Sequence, residues 1–145
     1  MTEEELLSTL FALFPQAEKV TSGGTTFWFA AGDRRQMMPF LTLVTDDEHD
    51  AASNLRRPGV YRLNVGLSAD EYRGRFGPPP PALGNGQTAV PGHDPAALDV
   101  LMPHPVYAAL HWACVLNPSP ATLARLTPLL QAAYDRASRR VRSGT

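Results

Sequence analysis

The sequence predicts a single α+β domain whose antiparallel sheet is covered on one face by the N- and C-terminal helices, leaving the other face or an edge for contacts. Three observations predict it. Helical periodicity occupies both ends of the chain, strict alternation occupies the stretch after Val60, and the order helix, strands, helix, strands, helix runs between them. With 145 residues, 43% of them hydrophobic and 19% charged, the chain is long enough to bury a core without a metal or disulfide staple.

Thr2, with Glu5 three residues on, forms a capping-box pattern, and Leu6, Leu7, Leu10, Phe11 and Phe14 recur at helical spacing until Pro15. KVTSGGTTFWFAA reads as two short strands joined by a Gly-Gly turn, and PFLTLVT as a third strand of the same meander. DDEHDAASNL interrupts that rhythm as a loop or short helix. From Val60, Tyr61, Leu63, Val65 and Leu67 alternate with Arg62, Asn64 and Gly66, which is the pattern of a strand with one buried face and with Arg62 and Asn64 together on the other.

Ser68 and Glu71 repeat the capping box and start a short helix, SADEYRGRF, that Gly77 and the following prolines end. Residues 77–95 are rich in Pro and Gly and read as an exposed loop, a length that is usually functional or mobile. LDVLMP and YAALHWACVL read as two further strands separated by a rigid His-Pro turn. Ser119 is an N-cap with Pro120 at the first helical position, and Leu123, Leu126, Leu130, Ala133, Tyr134 and Ala137 trace the apolar stripe of a long C-terminal helix, bent or locally broken near Pro128. No internal repeat is visible.

The formal net charge is −1, too small to steer a polyanion onto the surface. Arg136, Arg139, Arg140 and Arg142 nevertheless cluster near the C-terminus with no acid after Asp135. Such a cluster could meet nucleic acid, but cations also favour the negative end of a helix dipole, and that solvated face is the preferred reading. A lone cysteine excludes an intrachain bridge, the start TEEELL lacks the features of a signal peptide, and no apolar run approaches the ~20 residues of a membrane span. A cytoplasmic location is expected, with no membrane partner.

His49, His104, His111, Cys114 and the acids from Asp46 to Asp50 are able metal ligands, but a strand over residues 107–116 would send His111 to the face opposite Trp112 and Cys114. No metal and no cofactor is expected. Cys114 in an apolar strand reads as a small core hydrophobe, and Asp46, Asp47, Glu48 and Asp50 as solvated loop acids or a cap. Trp28 with its Phe neighbours, and Trp112 with Tyr107, are core or the lining of an apolar pocket. Arg62 and Asn64 suit bidentate capture of a carboxylate or phosphate, or else form a solvent-facing pair. His104, between Pro103 and Pro105, has a restricted backbone that suits binding or proton transfer, or a turn with its ring bonded to a loop carbonyl.

PFLTLVT, RRPGVYRLNVG and LMPHPVYAALHWACVLNPS together resemble an uncharacterised bacterial domain family without an assigned activity, over nearly the whole chain apart from the Pro-rich loop. The order of elements and the late His-Trp strand are also similar to the MmcQ/YjbR-like proteins. That likeness implies a compact "double wing" α+β fold, proposed in those relatives to bind DNA or small molecules. The relatives carry basic residues next to their His-Trp pair, where this chain has Ala108, Ala109 and Leu110. The expected function is therefore a non-enzymatic module that binds a small ligand or a protein partner through the face of Arg62, Asn64, His104, His111 and Trp112. The alternatives are a nucleic-acid-associated protein using the Arg-rich helix, and a small hydrolase or transferase using His104 with a nearby carboxylate.

Overall fold

The capping box at the N-terminus closes in both directions. Thr2 Oγ1 accepts from the Glu5 amide at 3.1 Å and Glu5 Oε1 accepts from the Thr2 amide at 3.0 Å, starting helix α1, Glu3–Leu13. The computed structural model describes residues 1–82 and 90–143. Strands β1 (Glu18–Ser22) and β2 (Thr25–Phe29) form a hairpin through Gly23 and Gly24, with Gly23 at φ +59° as a tight two-residue turn requires. Strands β3 (Leu41–Val44) and β4 (Arg62–Gly66) follow, and Ser68 and Glu71 cap helix α2, Ala69–Phe76. Strands β5 (Met102–Pro103) and β6 (Trp112–Leu116) lead to helix α3, Pro120–Arg142, capped by Ser119. All six strands pair antiparallel in the order β1-β2-β3-β4-β6-β5.

Because alternate residues point to opposite faces, the register divides the sheet into two chemistries. One face carries the cross-strand rows Trp28–Leu41–Val65–Ala113 and Leu43–Leu63–Val115. Leu6 and Leu10 from α1, Tyr72 from α2, and Leu123, Leu126, Leu130 and Ala133 from α3 close over these rows in one core. The other face carries Phe27–Thr42–Asn64–Cys114–Met102 and Thr25–Val44–Arg62–Leu116.

This second face corrects the expectation of a strand with one buried side, since Arg62, Leu63, Asn64 and Val65 are all buried. Residues 46–60 fold back over it, and Leu55 packs with Val44 and Leu116 in a small second core. Polar bonds tie the segment down: Asp47 Oδ1 accepts from the Leu55 amide at 2.9 Å, and Arg57 donates to the carbonyls of Ser53 and Ala96. The segment is a run of turns, not a helix.

YAALHWACVL is a strand only from Trp112; Ala108–Leu110 form a 3₁₀ turn and His111 is left-handed at φ 69°. The cause lies upstream. Pro105 has no N–H to give a ladder, and the His104 ring captures the amides of Val106 and Tyr107. LDVLMP contributes only Met102–Pro103 and an isolated bridge at Leu98. Helix α3 passes Pro128 without a break, because the buried Leu126, Leu129 and Leu130 around it outweigh one lost backbone bond. Of the Pro-rich loop, residues 77–82 and 90–95 contain no helix or strand, and residues 83–89 lie outside the described residues. Among the described residues no helix is long and apolar enough to cross a membrane.

Leu130 is fully buried where α3 meets the sheet. Leu130→Ala is expected to lower unfolding stability by about 2–5 kcal/mol, read as a fall in the urea midpoint with an unchanged m-value.

Candidate functional site

Arg62 is only 2% exposed, and a guanidinium so placed must have its charge and its donors answered. Nη1 and Nη2 grip the two carboxylate oxygens of Asp50 at 3.0 and 2.9 Å, Nη1 also donates to Ser53 Oγ at 3.0 Å, and Nε donates to Asn64 Oδ1 at 3.0 Å. Four of the five N–H groups are thus engaged, and Asn64 passes the chain on by donating to Thr42 Oγ1 at 2.9 Å. Partial burial pushes the Asp50 carboxyl up, but the hydrogen bonds and charge of Arg62 and the Ala52 amide bring it below its ordinary value. Arg62 and Asn64 are therefore not a solvent-facing pair, and Asp50 is not a solvated loop acid.

His104 stands beside this network at the end of β5, also 2% exposed. Its Nδ1 accepts from the amides of Val106 and Tyr107, both at 3.0 Å. The ring thus binds loop amides, where the sequence suggested a loop carbonyl. An Nδ1 that accepts cannot carry the proton, so Nε2 does. Burial, reinforced by the positive charge of Arg62 and only partly opposed by Asp50, pushes the imidazole down to about 3. At neutral pH His104 is therefore an uncharged ring whose donor is Nε2.

Arg62, Asn64, His104 and Trp112 line one cavity of about 470 Å³ on the second face of the sheet. Phe27, Thr42 and Val44 from the sheet, Met37, Met38 and Pro39 from the chain before β3, His49 and Asp50 from the loop after it, and Val106, Tyr107 and Leu110 from the turn after β5 share the lining. Thr25 belongs to the same lining, and its hydroxyl is buried with no hydrogen-bond partner among the described residues. Met37, at 78% exposure, and Leu110, at 66%, mark an apolar rim. Trp112 sits across from Gly66 in the ladder, where a Cβ would lie 3.3 Å from the indole, so glycine gives the ring its place against the strand.

The remaining expected site residues lie elsewhere. His111 does not line the cavity; its ring packs against Tyr72 of α2, centroids 5.7 Å apart, on the face opposite Trp112, the side to which alternation along this segment sends it. Arg136 donates to the Gly66 carbonyl at 2.8 Å and pairs with Glu71 at 3.0 Å, so it braces α3 against α2 and β4. Arg139 and Arg142 are exposed on the last turns of α3. Cys114 is wholly buried, and that burial pushes its thiol up to about 12. Among the described residues no group of three or more His, Cys, Asp or Glu converges as metal ligands.

Sequence reasoning missed Asp50 and Ser53 as partners of Arg62, and the hydroxyls of Thr25 and Thr42. The signal available was the need itself: an arginine in a strand of otherwise apolar and small residues calls for an acid, and Asp50 lies in the preceding acidic loop.

The sequence profile of DUF6194, described as a family of unknown function, matches residues 1–145. The chain belongs to this family. No curated protein and no solved structure gives a significant match to this DUF6194 chain, so its reading rests on the geometry above.

Arg62→Ala in the DUF6194 chain leaves Asp50 partly buried without its partner and is expected to cost about 3–5 kcal/mol, whereas a joint Arg62→Met and Asp50→Asn change recovers part of that loss; urea unfolding of the set measures both. A second expectation concerns acid. The unfolded chain protonates His104 below about pH 6.5, the folded chain only near about 3, so the unfolded state binds the extra proton between them and stability falls as pH is lowered across that window. Asp50, lowered in the fold, adds a further loss below its unfolded value. The His104 contribution approaches about 1.4 kcal/mol per pH unit, and urea titrations between pH 7 and 4 on wild type and His104→Asn isolate it.

Proposed function

We propose that this DUF6194 chain is a non-enzymatic module that binds a small, mainly apolar molecule in the cavity on the second face of its sheet. The observation that carries this reading is the hydroxyl of Thr25, buried with no hydrogen-bond partner among the described residues in the lining of a mainly apolar cavity that it shares with the neutral ring of His104, itself fixed by two backbone amides. A buried polar group without a partner is uncommon, and a few fixed polar groups in a cavity of about 470 Å³ are the usual construction of a small-molecule site.

The chemistry favours holding over reacting. Asp50 is engaged by Arg62, and Nδ1 of His104 by two amides. A ring that resists protonation is a weak base, and general acid–base catalysis needs a group poised near working pH. The single buried cysteine suits a reducing compartment such as the cytoplasm.

His104→Asn separates binding from folding, since an amide Oδ1 can take the place of Nδ1 and receive the Val106 and Tyr107 amides while the Nε2–H is lost. A thermal-shift screen of uncharged and charged fragments against wild type and this variant tests the proposal. Fragments that raise the midpoint of wild type are expected to lose most of that shift with His104→Asn. Hits that stabilise both proteins equally, or a folded wild type that answers to no fragment at millimolar concentration, overturn it.

A further inference from the structure

Resting on the reading above, we infer that the cavity selects an uncharged, flat molecule bearing a hydrogen-bond acceptor, of the class of aromatic or conjugated amides and ketones, and rejects the matching carboxylate. The selection follows from how charge is arranged. The guanidinium of Arg62 is the permanent cation in a lining that also includes the exposed imidazole of His49, and it is already bidentate to Asp50. Asp50 itself lines the cavity and its side chain is 18% exposed, against 2% for Arg62. An incoming anion therefore meets the carboxylate of the pair more openly than the cation.

His104 cannot make up the missing charge. With Nδ1 accepting two amides, the ring presents one neutral N–H, which answers a carbonyl oxygen well and a carboxylate incompletely. An ionised group brought into such a hollow loses its hydration without a counter-charge, whereas an amide or ketone loses less and regains a full bond. Flatness follows from the aromatic surfaces of Phe27, Tyr107 and Trp112 in the lining, whose faces and edges favour ring partners.

The probes are 2-naphthamide, 2-naphthoate and naphthalene, titrated at neutral pH into the full chain and into His104→Asn, with backbone amide NMR shifts as the readout. The expected result is that 2-naphthamide binds at least tenfold more tightly than 2-naphthoate, shifts the signals of Trp112 and of Val106 and Tyr107, and loses its advantage over naphthalene in His104→Asn. Equal or tighter binding of 2-naphthoate at the same signals overturns the selectivity while leaving the cavity as a binding site. If 2-naphthamide binds no better than naphthalene in wild type, the donor role of His104 is overturned. Failure of all three probes to move any cavity signal at millimolar concentration overturns this inference and the reading on which it rests.

Discussion

A guanidinium buried on the face of a sheet imposes conditions on everything around it, and Arg62 meets them by recruiting Asp50 and Ser53 from a loop that would otherwise have little reason to lie there. The ion pair draws the 46–60 segment across the end of β3, β4 and β6, and Leu55 then finds Val44 and Leu116 beneath it. Pairs of this kind seldom add net stability over apolar residues of equal size, but breaking one is costly. The interaction therefore specifies where the loop sits more than it stabilises the fold. It also leaves the second face unevenly covered, roofed over Arg62 and hollow beyond Asn64.

The hollow is bounded by irregular segments, which is where the sequence was least legible. Alternation in YRLNVGL placed Arg62 and Asn64 on a common face, the two capping boxes marked α1 and α2, and Ser119-Pro120 marked α3, since each is a local signal with a local cause. The walls have no such signal. Met37 and Met38 look like exposed loop residues, and Tyr107 and Leu110 look like the start of a strand, until a ring nitrogen three residues before Tyr107 is known to take its amide.

Parity, by contrast, holds across that same point. His111 and Trp112 are neighbours in the chain and lie on opposite faces, Trp112 over the hollow through its pairing with Gly66 and His111, though left-handed, against Tyr72 on the helical side. Burial of Arg62 was hidden, because whether a polar residue on a strand faces water depends on a partner many residues away. Fold class thus follows from periodicity, whereas the identity of the site follows from long-range pairing that periodicity does not encode.

Cys114 lies at the middle of this arrangement, between Asn64 and Met102 in the row across the second face, with a thiol held protonated and out of reach. Alkylating reagents attack the thiolate and need access to it, so the folded chain is inert to them and only an opened sheet reacts. The chain's single sulfhydryl is in this way a clock set into the protein: its labelling rate counts how often β4, β6 and β5 part, with no probe added and no residue changed.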